Sequence, residues 1–250
     1  MLRRFVLIAF TLFALALPLC SQTVDGLIAK NVQARGGMDK LKSVQSLRVT
    51  GKMTMGPGME APFTMEQKRP MRLRLEFTVQ GLTGVQAYDG TSGWQIMPFM
   101  GKKDPEVMTA DDVKDVEEQA DIDGPLVDYQ TKGHKVELLG KDKIEGTDAY
   151  KLKVTLKNGD VETVYLDADS YLEIKDEGQR TVRGNVVETE TALGDYKEVD
   201  GLTFPFSIES GIKGTEQKQK ITIDKVELNA PVDEARFKMP AAKPAEAPKQ

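Results

Sequence analysis

The chain is most regular in the stretch Met71-Arg72-Leu73-Arg74-Leu75-Glu76-Phe77-Thr78-Val79, where every second residue is apolar. A period of two is typical of a β-strand that has one buried face and one face in water. Antiparallel sheets commonly have one dry face of this kind. The stretch therefore predicts an antiparallel sheet in which Leu73, Leu75 and Phe77 share the buried face.

The same alternation extends along most of the chain on both sides of this stretch. The connections between alternating segments are too short for the crossover helices that parallel strands need. We therefore expect about eleven antiparallel strands in a mainly β protein. The predicted strands lie at 47–55, 63–65, 71–79, 86–88, 94–96, 135–139, 150–157, 162–167, 172–176, 186–193, 202–210 and 220–228.

Two segments have helical rather than alternating periodicity. The first, 24–41, is weakly amphipathic and is expected to end or kink at Gly36-Gly37. The second, 104–129, has Thr109 as a candidate N-cap and a thin apolar stripe of Val113, Val116 and Ala120. The dry face of so large a sheet needs a cover, which is either closure into a barrel or these two helices.

The N-terminus has the pattern of a secretory signal peptide, predicted at 1–21. Arg3 and Arg4 precede an apolar run, 5–17, that is shorter than the about 20 residues needed to span a bilayer. A cysteine such as Cys20 can be lipidated when a small residue precedes it, but Leu19 stands there, so ordinary cleavage is expected. The rest of the chain has no cysteine, which fits a periplasmic domain stabilised by its core. We expect this domain at 22–240 and a disordered tail at 241–250.

Composition argues against several functional classes. The net charge is −5 and basic residues are interspersed with acidic ones, so no basic face for nucleic acid is visible. His134 is the single histidine, and it has neither a serine nucleophile motif nor cysteines to share a zinc ion with. No glycine-rich phosphate loop is present. We predict a non-enzyme without cofactor or metal.

Paired carboxylates are the strongest remaining signal for catalysis. Asp167 and Asp169 lie close together in sequence, but aspartate is favoured in turns between strands. The pairs 111–112 and 117–118 are interpreted as a solvated helix face. A glycosidase would need an aromatic cleft around its carboxylates, whereas aromatic residues are only 6% of this chain.

Methionine is concentrated in the N-terminal strands. Of eleven methionines, eight lie between Met53 and Met108, close to Phe63, Phe77, Trp94 and Phe99. Methionine is flexible and is common where a surface accepts varied apolar shapes, although ordinary core filling is the simpler interpretation for any one of them. The cluster favours a lined apolar cavity.

An ordered set of short motifs resembles the LolA/LolB-like superfamily of outer-membrane lipoprotein-sorting proteins. The resemblance covers nearly all of the chain after the signal peptide. Its motifs, in chain order, are Lys68-Arg69-Pro70, Tyr88-Asp89-Gly90, Trp94, Pro98-Phe99, Tyr165-Leu166-Asp167, Asp200-Gly201-Leu202-Thr203-Phe204-Pro205, Asp233-Glu234-Ala235-Arg236-Phe237 and Pro240.

The resemblance implies an open half-barrel of about eleven antiparallel strands with helices covering the concave face. It also implies that acyl chains of lipoproteins or other lipids bind under that lid. In such carriers, the arginine of the Lys-Arg-Pro motif bonds the lid shut, which assigns lid control to Arg69. The poor lipidation motif favours the soluble carriers over the membrane-anchored receptors.

From the residues and the resemblance together, we predict a monomeric periplasmic carrier with membrane donor and acceptor proteins as partners. Acyl chains are expected to bind between the sheet and the second predicted helix. The helix residues expected to contact them are Val113 and Val116. The expected ligand-binding residues of the sheet are Leu73, Leu75, Phe77, Trp94, Phe99 and Met100. The alternatives are a regulatory or envelope-interaction protein on the same scaffold and an acid-based hydrolase that uses Asp167 or Asp169.

Overall fold

The computed structural model describes residues 22–54, 56, 58–182 and 184–241. The predicted signal peptide and nearly all of the predicted tail lie outside these residues. The strands are β1 (Ser46–Thr54), β2 (Glu60–Lys68), β3 (Arg72–Val79), β4 (Leu82–Tyr88), β5 (Gly93–Met97), β6 (Lys102–Val107), β7 (Lys135–Ile144), β8 (Thr147–Thr155), β9 (Val161–Asp167), β10 (Glu173–Val182), β11 (Asn185–Gly194), β12 (Lys197–Val199), β13 (Leu202–Phe204), β14 (Ser207–Ile212) and β15 (Gln219–Leu228). The helices are α1 (Val24–Ala34), α2 (Met38–Ser43) and α3 (Ala110–Ala120), with short 3₁₀ turns at Pro98–Met100 and Glu234–Phe237.

One antiparallel sheet of thirteen strands forms the body of the protein. Its order is β6-β5-β4-β3-β2-β1-β15-β14-β11-β10-β9-β8-β7, and β12 and β13 form a separate hairpin. The sheet does not close, because β6 and β7 are edge strands that do not pair with each other. The predicted open half-barrel is thus confirmed, and the cover is provided by helices and not by closure.

The structure has fifteen strands, three more than the twelve predicted segments: β12 was not predicted, and the other two differences have a cause in the sequence. The predicted strand 202–210 is divided at Pro205, which has no backbone N–H to donate, so β13 and β14 belong to different sheets. The prediction of helix over 104–129 is wrong for 104–107, which belong to β6, the strand that pairs with β5, and for 121–129, which are not helical. Pro105 is compatible with this position because β6 is an edge strand.

The register of β3 sets which residues share a face. Leu73 lies opposite Tyr88 on β4, and Phe77 lies opposite Phe63 on β2. The helices pack on this side, which we call the inner face; the opposite side is the outer face.

The helices α1 and α2 are two parts of the first predicted helical segment. The Thr23 side chain accepts a hydrogen bond from the Gly26 N–H and caps α1. The helix is interrupted at Gly36, whose φ is 117°, and a side chain there would meet the Gly201 carbonyl at 2.3 Å. Both helices pack on the inner face of β7, β8 and β9, where the buried partners include Leu152 and Leu166.

Helix α3 lies in the connection between the two edge strands, β6 and β7. Thr109 caps it as predicted, because its hydroxyl accepts a hydrogen bond from the Asp112 N–H at 3.2 Å. The close approach of α3 to β5 depends on Gly93, where a side chain would meet Met108 at 2.8 Å and Val113 at 3.1 Å. The helix therefore crosses the open side of the sheet and covers its inner face near β3, β4 and β5.

Candidate functional site

An apolar cluster joins α3 to the inner face of the sheet. Leu73 and Ala120 are fully buried there, and Val116 is 2% exposed. Half-buried Val113 packs against the same cluster. The buried members of the cluster also include Tyr88 and Met108, and the partly buried Met65 and Met71 pack against it. In this arrangement α3 covers this part of the inner face with apolar side chains.

A second apolar cluster continues along the inner face toward the end of β3. The rings of Phe77 and Phe99 lie 5.6 Å apart and are tilted by 53°. Gly84 makes room for them, because a side chain there would meet both rings at less than 3 Å. Leu75 is half-buried and packs on the same cluster. The structure thus brings Leu73, Leu75, Phe77 and Phe99 onto one face.

Trp94 does not belong to this face, and its predicted placement there is wrong. It lies opposite Ala87, which lies opposite Arg74, so all three share the outer face. The indole N–H donates to the Phe237 carbonyl at 2.7 Å, and the Arg74 guanidinium lies over the ring. Trp94 is buried because the C-terminal 3₁₀ turn covers it, a contact that local alternation cannot reveal.

Met100 is also placed differently from the prediction. It lies at the end of a 3₁₀ turn beyond β5 and is 67% exposed. The side chain therefore does not line an enclosed cavity in this conformation.

Arg69 links three parts of the molecule at the end of β2. Its guanidinium donates to both carboxylate oxygens of Asp123, at 2.8 and 2.6 Å. It also donates to the carbonyls of Val44 at 2.7 Å and Leu41 at 3.1 Å, which belong to the end of α2. Asp123 lies three residues after α3, so Arg69 ties the connection that follows α3, and also α2, to the sheet. We call the Arg69–Asp123 pair the latch.

The environment of Asp123 is strongly polar although the residue is 2% exposed. The Lys42 ammonium donates to the same carboxylate at 2.7 Å, and the Arg35 guanidinium donates to the Asp123 carbonyl at 2.9 Å. Burial alone would raise the pKa of Asp123, but the hydrogen bonds from Arg69 and Lys42 outweigh it and lower the pKa to about 2. The latch is therefore fully charged at neutral pH.

A cleft of about 520 Å³ opens between α3 and the β8–β9 hairpin. Met71 and Leu156 provide apolar walls, and Glu118 and Glu162 provide acidic ones. Burial and the charges of Asp176 and Asp160 raise the pKa of Glu162 to about 7. The inner face therefore has apolar side chains at β1–β5 and acidic side chains at β9 and β10.

Glu118 faces this acidic region, so the interpretation of 117–118 as a solvated helix face is wrong for Glu118. Its Oε2 accepts from the Arg180 guanidinium at 3.1 Å, while Oε1 is buried without a hydrogen bond from any described residue. Burial and the charges of Glu162 and Asp160 raise its pKa to about 8. Asp115 on α3 also pairs with Arg180. These pairs hold α3 to β10.

The remaining candidates for catalysis have structural roles. The Asp167 carboxylate accepts from the N–H groups of Asp169 and Ser170, as expected of a turn between strands. His134 Nδ1 accepts from the Lys157 N–H at 3.0 Å and so joins the start of β7 to the β8–β9 hairpin. Among the described residues, no group of three or more His, Cys, Asp and Glu side chains is arranged to hold a metal ion.

Residues that sequence reasoning missed are mainly charged. Asp123, the partner of Arg69, has no local signal, because 54 residues separate the two. Glu162 could have been assigned to the inner face, since it has the same parity in β9 as buried Val164 and Leu166.

No helix in the described ranges has the length and apolar character needed to cross a membrane.

Comparison with known proteins identifies the fold. No family model matches the sequence, and no curated protein matches it. A DUF1329 family protein from Desulfovibrio piger ATCC 29098 has a TM-score of 0.61 at 13% identity, over 86% of this chain and 97% of that chain. A protein described as an outer membrane lipoprotein-sorting protein domain, from Vibrio parahaemolyticus, has a TM-score of 0.58 at 13% identity over 85% and 96%.

A LolA superfamily protein from Nitrosomonas europaea gives a similar result. Its TM-score is 0.58 at 13% identity, over 86% of this chain and 97% of that chain. The chain therefore has a LolA-like fold, as its motifs predicted. At this identity the likeness establishes the fold alone.

Proposed function

We propose that the protein carries lipid acyl chains, of lipoproteins or free lipids, between the inner face of the sheet and α3. The observation that supports this most is an apolar face covered by a separate helix whose connection is fastened by a polar latch. A latch of charged groups can open in water without loss of the apolar core beneath it. Opening would expose Leu73 and its cluster to cargo beside Leu75 and Phe77 on the same face, and burial of apolar area would then stabilise the complex.

We further propose that the protein works in the periplasm, moves cargo toward the outer membrane and is not an enzyme. The LolA-like fold and the likeness to a lipoprotein-sorting domain support this role. The N-terminal segment supports export, since its apolar run follows two arginines. Membrane donor and acceptor proteins would load and unload the carrier, and Arg69 would control the lid.

A charged residue on the inner face tests this proposal. In Leu75→Arg, the guanidinium would lie beside the bound chain, where an unpaired charge is costly. We expect the protein to bind a fluorescent fatty acid at least about tenfold more weakly than wild type, as estimated from the burial of one large apolar side chain. Titration of the probe into the exported protein measures the change.

Leu139→Arg is the matched control, because Leu139 is 54% exposed on the edge strand β7. It adds the same charge away from the inner face and should bind the probe like wild type. A Leu75→Arg protein that keeps its thermal unfolding midpoint and its affinity for the probe would contradict the assignment of this face to cargo.

A further inference from the structure

A small pocket lies on the inner face beside the latch. The end of α1, residues 121–126, the start of β10 and strand β13 surround it, and its volume is about 190 Å³. Sites for drug-sized ligands are larger, at about 300–1,000 Å³. The pocket can therefore hold a small chemical group, the size of about six water molecules at about 30 Å³ each, but not a whole acyl chain.

One wall of the pocket is apolar. The side chains of Ile122, Leu126, Leu193 and Phe204 form it. Phe204 also packs against the apolar cluster of the inner face that contains Phe77. The pocket is therefore next to the face that we assign to acyl chains, and a bound chain can reach it with one end.

Arg35, the C-cap residue of α1, places a guanidinium at the pocket. Its backbone carbonyl accepts a hydrogen bond from the Thr203 N–H at 3.0 Å, which fixes the residue against β13. The guanidinium donates to the Asp123 carbonyl at 2.9 Å and forms no ion pair with a described residue. A guanidinium has five N–H donors, so most of these donors remain available to a ligand.

Asn31 and Glu173 add hydrogen-bond acceptors to the same pocket. Asn31 is only 2% exposed, and its amide nitrogen donates to the Tyr171 carbonyl at 2.8 Å. No described residue donates to the amide oxygen of Asn31 or forms a hydrogen bond or ion pair with the Glu173 carboxyl. Polar groups shielded from water are nearly always hydrogen-bonded in proteins. The unused donors and acceptors of the pocket therefore indicate a bound polar molecule, which is water or a ligand group.

The charges that line the pocket are balanced. Arg35 and Glu173 carry opposite charges when both are ionised, and no ion pair joins them directly. Asp121, the third charged residue of the described lining, forms an ion pair with Lys132. A head group with a net charge would therefore gain one partner and meet one repelling group, whereas a neutral head group can bind between the two.

The titration of Glu173 favours a hydroxyl as the bound group. Burial and the charges of Asp176 and Glu162 raise the pKa of Glu173, and the charge of Arg35 lowers it. A carboxylate ligand would need the protonated form of Glu173, and an ammonium ligand would need the ionised form. A hydroxyl both donates and accepts, so it can bond to Glu173 in either form and to Arg35 at the same time.

We propose that this pocket binds the hydroxyl-bearing head of a neutral single-chain lipid, of the monoacylglycerol class, whose acyl chain lies on the inner face. One hydroxyl accepts from Arg35 and donates to Glu173, and a second donates to the amide oxygen of Asn31. Selection of this head group rests on the proposed carrier function, because the acyl chain must bind the inner face beside the pocket.

Competition between lipids that share one acyl chain tests the head group. Monododecanoylglycerol, methyl dodecanoate, dodecanoate and dodecylamine are each used to displace a fluorescent fatty acid from the protein, at concentrations below those at which they aggregate. We expect monododecanoylglycerol to bind at least about tenfold more tightly than the methyl ester, since it gains two or more hydrogen bonds. It should also bind more tightly than dodecanoate and dodecylamine at neutral pH.

Variants of Glu173 locate the effect in the pocket. Glu173→Met removes the carboxyl but keeps a side chain of similar length. It should lower the affinity for monododecanoylglycerol to that for the methyl ester and leave the affinity for the methyl ester at the wild-type value. Glu173→Gln keeps a donor and an acceptor and should retain the preference. Glu60→Met is the matched control, because the Glu60 side chain is 63% exposed on β2, and it should bind all four lipids like wild type.

Equal binding of monododecanoylglycerol and the methyl ester by wild type would overturn the proposal and leave the pocket to water. A preference for dodecanoate or dodecylamine would overturn it in favour of a charged head group. Absence of displacement by any of the four lipids would contradict the carrier function itself, and the head-group selection with it. The wild-type comparison needs no variant, so it is decisive even if Glu173→Met does not fold.

Discussion

The carboxylates of Asp123 and Glu162 are both shielded from water, but their pKa values change in opposite directions. Asp123 is surrounded by Arg69 and Lys42, whose hydrogen bonds keep it ionised despite burial. Glu162 has no ion pair with a described residue; burial, and then the charges of Asp176 and Asp160, raise its pKa to about 7, so its protonated form is favoured. The first therefore holds the connection after α3 to the end of β2 at neutral pH, whereas the second weakens the fold as it ionises.

The raised pKa of Glu162 predicts a pH-dependent stability difference. A carboxyl with a pKa near 7 in the folded state and about 4.3 in the unfolded state binds more protons when folded. Its stabilising effect is complete below about pH 4 and is lost as pH rises through about 7. Glu162→Gln removes this loss, so the variant should gain about 2–3 kcal/mol over wild type at pH 8 relative to pH 5.

Urea unfolding at the two pH values measures this difference. Glu60→Gln serves as control, since the Glu60 side chain is 63% exposed, and its difference from wild type should not change with pH. A Glu162→Gln difference that is the same at pH 5 and pH 8 would show that Glu162 titrates normally in the folded protein.

At the scale of elements, α3 is held by three different kinds of contact. Apolar packing joins Val116 to Leu73, ion pairs join Asp115 and Glu118 to Arg180, and the latch fastens the connection that follows the helix. The cap at Thr109 and the apolar stripe were predictable because both are local patterns. The latch partner and the Arg180 pairs were not, because they depend on how distant strands meet the helix.

Removal of the latch arginine should loosen this connection. Arg69→Leu leaves the nearly buried Asp123 carboxylate with Lys42 alone, and we expect a loss of about 2–3 kcal/mol in the free energy of unfolding. We also expect faster amide hydrogen exchange in α3 and in residues 121–128. Hydrogen exchange with peptide-level mass spectrometry measures the change.

Arg72→Leu provides the comparison for this variant. Arg72 pairs with Glu234, which is 56% exposed, and an exposed pair contributes about 0–1 kcal/mol. Exchange in α3 should remain at the wild-type rate. If both variants leave α3 equally protected, the latch does not hold the lid.

For the molecule as a whole, period-two alternation was sufficient to predict a large antiparallel sheet with one dry face, whereas the choice of an open half-barrel covered by helices came from the resemblance to the LolA/LolB-like superfamily. The alternation was also sufficient to place Leu73, Leu75 and Phe77 together, because every second residue of a strand points to the same face of the sheet. It could not place Trp94, whose burial depends on a C-terminal turn 143 residues away. It could not show that β6 replaces the start of the second predicted helix, because edge pairing is a tertiary effect.

We propose that the inner face holds acyl chains, and native mass spectrometry of the protein tests this most directly. The protein is purified from the cells that naturally make it, its bound species are identified by lipid extraction, and a fatty acid is then added. We predict a co-purified lipid or acylated peptide that the fatty acid displaces in equal amount. An empty protein that also ignores the fatty acid would contradict the claim and would leave the apolar inner face as core.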